Sequence, residues 1–147
     1  MRRTSILAVA TALIATSAGA VANASSSGER IQLRNTRVGT ILVNGRGRTV
    51  YVFTRDSRNN DACQQISGCT RIWPPVTTTG KPLAGSGVRS SQLGTITIKG
   101  GAKQLTYAGH PLYTYSGDSG PGQTSYVNFS AFGGRWPAMN ASGQEVK

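Results

Sequence analysis

The sequence predicts an all-β fold: one small domain of two pseudo-repeated antiparallel β units, with at most short helical turns around a loop bounded by two cysteines. Short apolar and threonine-rich runs alternate with Gly, Asn and Ser, and the chain of 147 residues contains 19 glycines, which suit tight turns. No run has the period of an amphipathic helix. A third observation is that the same landmark residues occur twice, in the same order.

Five runs are predicted to be strands, and a segment between them, 77–91, is rich in Thr, Gly and Ser and is predicted to be a surface connector. In the first half, Val50 and Val52 make the second face of their run apolar as well, which indicates a strand covered on both sides. The predicted strands are 39–43, 49–54, 94–99, 104–107 and 111–116.

The two halves share three landmarks, and the last of them, a Trp-Pro pair, follows an aspartate by 17 residues in the first half and 18 in the second. We interpret 39–76 as repeat one and 94–143 as repeat two. Each repeat is too small to bury its own apolar face, so we expect each to close on its own aromatic ladder and the two to share one interior with approximate twofold symmetry. The matching segments are 39–43 with 94–98, 51–56 with 113–118, and Trp73-Pro74 with Trp136-Pro137.

The central landmark is the motif Tyr-x-aromatic-x-x-Asp. Period two places its tyrosine and second aromatic residue on one strand face, which we expect to be core. Its aspartate falls where the strand ends and is expected to accept backbone N–H groups of the following turn. The tryptophans are expected to pack in the core. The residues given this structural role are Tyr51, Phe53, Asp56, Tyr113, Tyr115, Asp118, Trp73 and Trp136.

The start of the chain has the pattern of a secretory signal peptide. Arg2 and Arg3 precede the apolar run 6–18, and a small-residue site predicts cleavage after Ala24. The run is too short for a membrane span, which needs about 20 apolar residues. We therefore predict a signal peptide at 1–24, a flexible arm at 25–30 and a β domain at 31–147, in a protein that is secreted, extracellular or loosely associated with the envelope.

Cys63 and Cys69 are predicted to form a disulfide, because an exported chain meets an oxidising compartment and the two are close in sequence. Closing this loop would stabilise the fold by roughly 2 kcal/mol in the chain-entropy model. Zinc is the competing interpretation, but two thiols and the single histidine, His110, do not complete a four-ligand shell without carboxylates. We predict no metal site and no cofactor.

The mature protein is strongly basic. Loss of Arg2 and Arg3 lowers the 16 Lys and Arg to 14, against 5 Asp and Glu, so the formal charge falls from +11 to +9. Such a surface attracts anionic polymers by screened Coulomb forces. We predict an anionic envelope polymer as partner, with no specific nucleic acid and no membrane span; the sequence leaves the oligomeric state open. The residues expected to contact anions are Arg46, Arg48, Arg55, Arg58 and Arg71.

No catalytic constellation is visible, and the chain is predicted not to be an enzyme. One alternative is a hydrolase in which the repeats bring Asp56 and Asp118 together at the symmetry axis, since glycosidase chemistry needs two carboxylates about 5 to 9 Å apart. His110, in a predicted turn, is the only histidine available to a Ser-His-Asp arrangement. A further alternative is a structural or inhibitory protein that binds another protein.

From about residue 39 to residue 143 the chain resembles the bacterial secreted-repeat proteins, predicted lipoproteins with the motif Tyr-x-(Phe/Trp/Tyr)-x-x-Asp. The resemblance implies a secreted protein whose biochemical role is unassigned. Two departures stand out: Gln123 follows Pro121-Gly122 where the family often has an acidic residue, and the cysteines are further apart than is common, with no lipid-anchored cysteine. The segments that carry the resemblance are 47–56, Cys63 to Cys69, 73–75, 104–118, 121–122 and 133–136.

Overall fold

The computed structural model describes residues 27–147, which form mostly strands. The strands are β1 (Arg30–Thr36), β2 (Gly39–Asn44), β3 (Thr77–Thr78), β4 (Leu83–Ala84), β5 (Leu93–Thr97), β6 (Lys103–Tyr107), β7 (His110–Pro111), β8 (Phe129–Ala131), β9 (Gly134–Trp136), β10 (Ala138–Met139) and β11 (Glu145–Val146). Helical structure in this region consists of one α-helical turn, α1 (Cys69–Ile72), and the 3-10 turns Ala62–Gln65 and Ser90–Gln92.

The all-β prediction is confirmed, and two of the three helical turns lie at the cysteine loop, as expected. The third, Ser90–Gln92, lies outside that loop. The predicted signal peptide, 1–24, falls outside the described residues. No helix in residues 27–147 is long and apolar enough to cross a membrane.

Two small sheets carry most of the strand pairing. In one, β1 and β2 form an antiparallel hairpin and β4 lies parallel to β1. The hairpin turn ends at Gly39, whose φ of +109° strains any residue with a Cβ. In the other sheet, β6 lies between β3 and β5 and also pairs with β7. The pairs β8–β9 and β10–β11 are separate antiparallel ribbons.

The predicted strands 49–54 and 111–116 differ from the structure. Apart from His110–Pro111, both runs pair only through isolated bridges. The reason is that each run is hydrogen-bonded to more than one partner segment in turn, so it forms a continuous ladder with none of them. The bridges at the centre of these runs are Tyr51–Tyr113, Tyr51–Ala138 and Pro75–Tyr113.

Segments expected to be loose are partly built into the sheets. Within the predicted connector, 77–91, β3 and β4 each join a sheet and Val88 is buried. At the end of the predicted arm, 25–30, the Glu29 N–H donates to Thr78 Oγ1 over 2.9 Å, and Arg30 begins β1. The arm prediction is corrected there: Glu29 and Arg30 belong to the folded domain, because their main-chain groups are hydrogen-bonded to it.

The extended run 49–53 separates two parts of the core. Val50 and Val52 face an aliphatic cluster, whereas Tyr51 and Phe53 face an aromatic one. All four side chains are buried, so the prediction of a strand covered on both faces holds for burial. Burying side chains of this size removes about 1.5–3 kcal/mol each of unfavourable hydration. The aliphatic cluster also contains Ile31, Leu42, Leu105, Leu112 and Met139.

Candidate functional site

The motif residues meet at a pseudo-twofold axis between Tyr51 and Tyr113. The N–H of Tyr51 donates to the carbonyl oxygen of Tyr113 over 2.8 Å, and the N–H of Tyr113 donates to the carbonyl oxygen of Tyr51 over 2.9 Å. Each residue therefore makes with its repeat equivalent the same pair of bonds, as residues beside a twofold axis do. Antiparallel hydrogen-bonded pairs of this kind hold two strands in a fixed register.

The strand of each repeat then continues along the Trp-Pro segment of the other repeat, through two matched sets of main-chain bonds. The expectation that each repeat closes on its own aromatic ladder is therefore wrong: the repeats exchange strand partners. Neither repeat completes its own hydrogen bonding in this region. The matched bonds are Val52 N to Pro137 O (3.0 Å) with Thr114 N to Pro74 O (3.0 Å), and Thr54 N to Arg135 O (3.0 Å) with Ser116 N to Ile72 O (2.9 Å).

The tryptophans stack on each other across the same axis. The ring centroids of Trp73 and Trp136 are 4.1 Å apart and the planes differ by 1°. Phe53 stacks on the outer face of Trp136 at 4.1 Å, and Tyr115 covers Trp73 at 4.5 Å. Four aromatic rings from alternating repeats thus form one continuous stack. Trp73 and Trp136 are fully buried, whereas Tyr115, expected on a core face, is only partly buried at the end of the stack.

The motif aspartates bind the tyrosine of the opposite repeat. Tyr51 donates its hydroxyl to Asp118 Oδ2, and Tyr113 donates its hydroxyl to Asp56 Oδ2, both over 2.9 Å. Asp56 Oδ1 also accepts the N–H of Ala62 over 2.8 Å, which is the turn-capping role expected from the sequence. The same expectation is wrong for Asp118, because its Oδ1 is buried and accepts no hydrogen bond from the described residues. The two pairs are related by the pseudo-twofold axis and differ in this second bond.

Burial dominates the ionisation of these groups. It raises the pKa of Asp56 to about 7, although the Ala62 N–H and the Tyr113 hydroxyl favour the charged form. Burial likewise raises the pKa of Asp118, against the opposing effects of the Tyr51 hydroxyl and of the Arg48 charge. The pKa values of both phenols are raised as well, by burial and then by the neighbouring aspartates. The hydroxyl groups therefore remain hydrogen-bond donors throughout the neutral range.

The geometry brings each aspartate to a tyrosine rather than to the other aspartate. The residues that meet their equivalents at the axis are the tyrosines and tryptophans, whereas Asp56 and Asp118 lie in separate pairs. His110 begins β7, directly after the Ala108-Gly109 turn that links it to β6. Within residues 27–147, no three His, Cys, Asp or Glu side chains converge as a metal ion would require.

The predicted disulfide is present. Cys63 and Cys69 are bonded and buried in the aromatic cluster, where they join the 3-10 turn Ala62–Gln65 to α1. Asp61 precedes that turn and accepts the Gln64 N–H over 3.0 Å, as an N-cap does. The N–H of Ala62, at the start of this turn, donates to Asp56 Oδ1 and so joins the disulfide loop to the end of the first motif.

The five arginines predicted to contact anions do not form one site. Arg71 is exposed on α1, and Arg46 lines an open cleft of about 850 Å³ together with Arg30 and Lys103. Glu29 also lines this cleft, and its Oε1 accepts the Gly45 N–H over 2.9 Å. The other three predicted arginines donate to distant carbonyl oxygens: Arg48 to Asp118 (2.7 Å), Arg55 to Phe132 (3.0 Å) and Arg58 to Ala108 (3.3 Å).

Sequence reasoning missed a second cleft, of about 370 Å³, between the β1–β2 hairpin and the loop 121–125. Arg34 and Arg37 line it, and neither was among the predicted contacts. The alternation of side chains along β1 places Arg30, Gln32 and Arg34 on one strand face, so the sequence pattern does indicate a basic face that includes Arg34. The loop that faces them is about 85 residues away in the chain, and no local pattern connects the two.

Comparisons with known proteins agree with the duplicated landmarks. A family model described as a secreted repeat of unknown function matches the chain twice, over residues 33–77 and 94–140. No curated protein and no solved structure matched the chain. The two matched segments contain both motifs and both tryptophans, which are the parts that exchange partners across the axis, and the first segment also contains the disulfide. The chain therefore belongs to this family of secreted repeats.

Proposed function

We propose that this secreted protein is a non-enzymatic binding module for an anionic polymer of the cell envelope, and that it is extracellular or loosely held at the envelope by charge. The observation that carries the proposal is uncompensated positive charge. Residues 27–147 contain 14 Lys and Arg and 5 Asp and Glu. The one ion pair among the described residues joins Arg135 to Glu145 over 3.2 Å, on the surface.

The acidic side chains are mostly used inside the fold, which leaves the surface more basic than the net charge suggests. Asp56 and Asp118 accept tyrosine hydroxyls, and Asp61 caps a helical turn. These bonds account for three of the five carboxylates. The raised pKa of Asp56, at about 7, further reduces the negative charge at neutral pH. A surface of this kind attracts polyanions and loses them as salt increases.

The 850 Å³ cleft is a suitable contact surface for a polymer segment. It is open, it carries three cations, and the hydroxyl groups of Thr77 and Thr79 line it as well. Cations and hydroxyl donors together suit an anionic chain that carries sugar or polyol groups. In this proposal the Tyr–Asp pairs and the tryptophan stack hold the cleft-forming sheets in place.

Exposed apolar area would favour the alternative of a protein partner. The exposed large hydrophobic side chains of the described region are Ile72, at 38%, and Phe129, at 48%. The charge distribution supports a polyanion more strongly than these two side chains support an apolar interface.

The test is retention of the mature protein on immobilised teichoic acid, with nucleic acid and anionic vesicles as parallel surfaces. We expect retention at low salt and steep loss as salt rises. The triple variant R30Q/R46Q/K103Q should be retained more weakly than R71Q/R89Q/K99Q, which loses the same charge at exposed positions outside the cleft. Absence of retention on every anionic surface at low salt would refute the proposal. Preference for nucleic acid over the envelope polymer would also count against it.

A further inference from the structure

We infer that the smaller cleft, between the β1–β2 hairpin and the loop 121–125, is a phosphate-binding site with Arg34 and Arg37 as its ligands. The inference rests on the proposed function and specifies it: the polymer is one that carries phosphate groups, such as a polyol-phosphate chain. The cleft has a volume of about 370 Å³, which accommodates a phosphodiester with its neighbouring polyol carbons.

Arg37 is held in place by two hydroxyl groups from the opposite side of the cleft. Its Nε donates to Thr124 Oγ1 over 3.1 Å, and its Nη2 donates to Ser125 Oγ over 3.4 Å. Thr124 is buried, so the first of these bonds ties the exposed Arg37 side chain to a fixed point of the fold. A guanidinium has five N–H donors in a fixed plane, and these two bonds leave the others free for an anion.

Arg34 is positioned by close approach of the main chain rather than by hydrogen bonds. Its guanidinium lies against Gly47 and Gly122, with φ of +78° and +68°. A Cβ on Gly122 would lie 2.6 Å from Arg34 Nε, and one on Gly47 would lie 3.1 Å from Arg34 Nη1. The Gly122 N–H also donates to the Gly47 carbonyl oxygen over 2.9 Å, which ties the two turns together. Only glycine at these positions leaves room for the guanidinium.

The charge in the cleft favours a phosphate. None of the residues that line it carries a carboxylate, and Thr36, Asn35 and Gln123 add neutral polar groups. The larger cleft differs, because Glu29 lies among its cations. Two arginines with no carboxylate among the residues that line their cleft suit an anion such as phosphate, with which Arg forms bidentate contacts.

The first experiment compares variants that change shape but not charge. Binding of poly(glycerol phosphate) is measured by calorimetry for the mature protein, G122A and G120A. At Gly120, which directly precedes the loop, a Cβ would meet nothing within 4 Å, so G120A controls for the addition of a methyl group. We expect G120A to bind as the parent does and G122A to bind at least about threefold more weakly, since its Cβ displaces Arg34. Equal binding by the two variants would overturn the inference.

The second experiment removes the arginines and remains informative if G122A fails to fold. R34Q/R37Q should bind poly(glycerol phosphate) about tenfold or more weakly than R71Q/R89Q, which loses the same charge elsewhere. R34K keeps the charge and loses the planar fork, so it too should bind more weakly than the parent. Parent-like binding by R34K, or equal loss in the two double variants, would contradict the site.

A third comparison separates the inference from the proposed function. Polygalacturonate, a carboxylate polymer, should respond equally to R34Q/R37Q and R71Q/R89Q, because the cleft is proposed for phosphate. If the parent protein binds both polymers and R34Q/R37Q matches its control on both, the phosphate site is wrong and the proposed function stands. If the parent protein binds neither polymer at low salt, the proposed function itself fails.

Discussion

Tyr51 and Tyr113 are hydrogen-bonded to each other through their main chains in both directions, at 2.8 and 2.9 Å, and each donates its hydroxyl to the aspartate that follows the other. One strand position therefore fixes both the register of the two repeats and the hydrogen bonding of two carboxylates, of which Asp118 is buried and Asp56 is partly buried. Because these bonds join one repeat to the other, the two repeats form a single folding unit rather than two units that pack together.

The exchange of partners predicts that neither half folds alone. Fragments 27–91 and 92–147 should each lack a cooperative thermal transition, since each has lost the main-chain partners of its motif and half of the ring stack. Mixed in equal amounts, they should regain near-ultraviolet circular dichroism and dispersed amide resonances. A folded 27–91 fragment with its own melting transition would show that the repeats are independent.

The two Tyr–Asp pairs should differ in strength. Y51F leaves Asp118, whose Oδ1 accepts no other bond from the described residues, whereas Y113F leaves Asp56 with the Ala62 N–H. Leaving a buried acceptor unsatisfied costs about 1–3 kcal/mol. We therefore expect Y51F to lower the free energy of unfolding by an amount in this range, and Y113F to lower it by less. Urea unfolding of both variants gives the two losses of unfolding free energy to be compared. Equal losses would show that the second bond to Asp56 contributes nothing.

The stacked tryptophans should also respond unequally to the same substitution. Trp136 Nε1 donates to the Ala131 carbonyl oxygen over 3.2 Å, while Trp73 Nε1 is buried and has no acceptor among the described residues. W73F and W136F remove similar ring area from the stack. W136F should be the more destabilising by about 1 kcal/mol, the net value of one hydrogen bond. F129A, at a half-exposed ring, serves as the surface control, and it should lower the free energy of unfolding by no more than about 0.5 kcal/mol.

Stability should fall as pH rises towards 8. The folded-state pKa of Asp56 is about 7 against 3.8 for an exposed carboxyl, so between these values the folded protein binds more protons than the unfolded chain. The stabilisation from this group is complete below about pH 4 and is lost as pH rises through 7. Asp118, whose pKa is also raised, acts in the same direction.

Melting temperatures at pH 5 and pH 8 measure this effect. The parent protein should melt at a lower temperature at pH 8, and D56N should show a smaller difference because its amide does not titrate. A parent protein that is more stable at pH 8 than at pH 5 would mean that the hydrogen bonds to Asp56, rather than its burial, control its ionisation.

Local pattern identified much of the candidate site. Period two placed Tyr51 with Phe53 on one face and Val50 with Val52 on the other, and both faces are buried. Such assignments depend on side-chain direction, which alternates along any extended chain. The disulfide followed from chemistry and proximity, and its loop carries two of the three described helical turns.

The sequence pattern did not predict which residues form hydrogen bonds with each other. Asp56 meets Tyr113, 57 residues away, although Tyr51 in its own motif is an equally suitable donor by sequence. Symmetry brings equivalent residues together beside the axis, and the residues that lie there are the tyrosines and tryptophans rather than the aspartates. Likewise, the five arginines expected to contact anions are dispersed, whereas Arg34 and Arg37 share a cleft that a distant loop completes.

Residue type and spacing within a few positions are sufficient to predict the class of the fold, the duplication, the cysteine pair and the burial of Tyr51, Phe53 and both tryptophans. The exchange of strands between the repeats, and the bond from each aspartate to the opposite tyrosine, depend on long-range packing. Pairing within a repeat and pairing between repeats use identical donors and acceptors, so the local sequence does not distinguish them. The choice depends on how the whole chain closes around the stacked tryptophans.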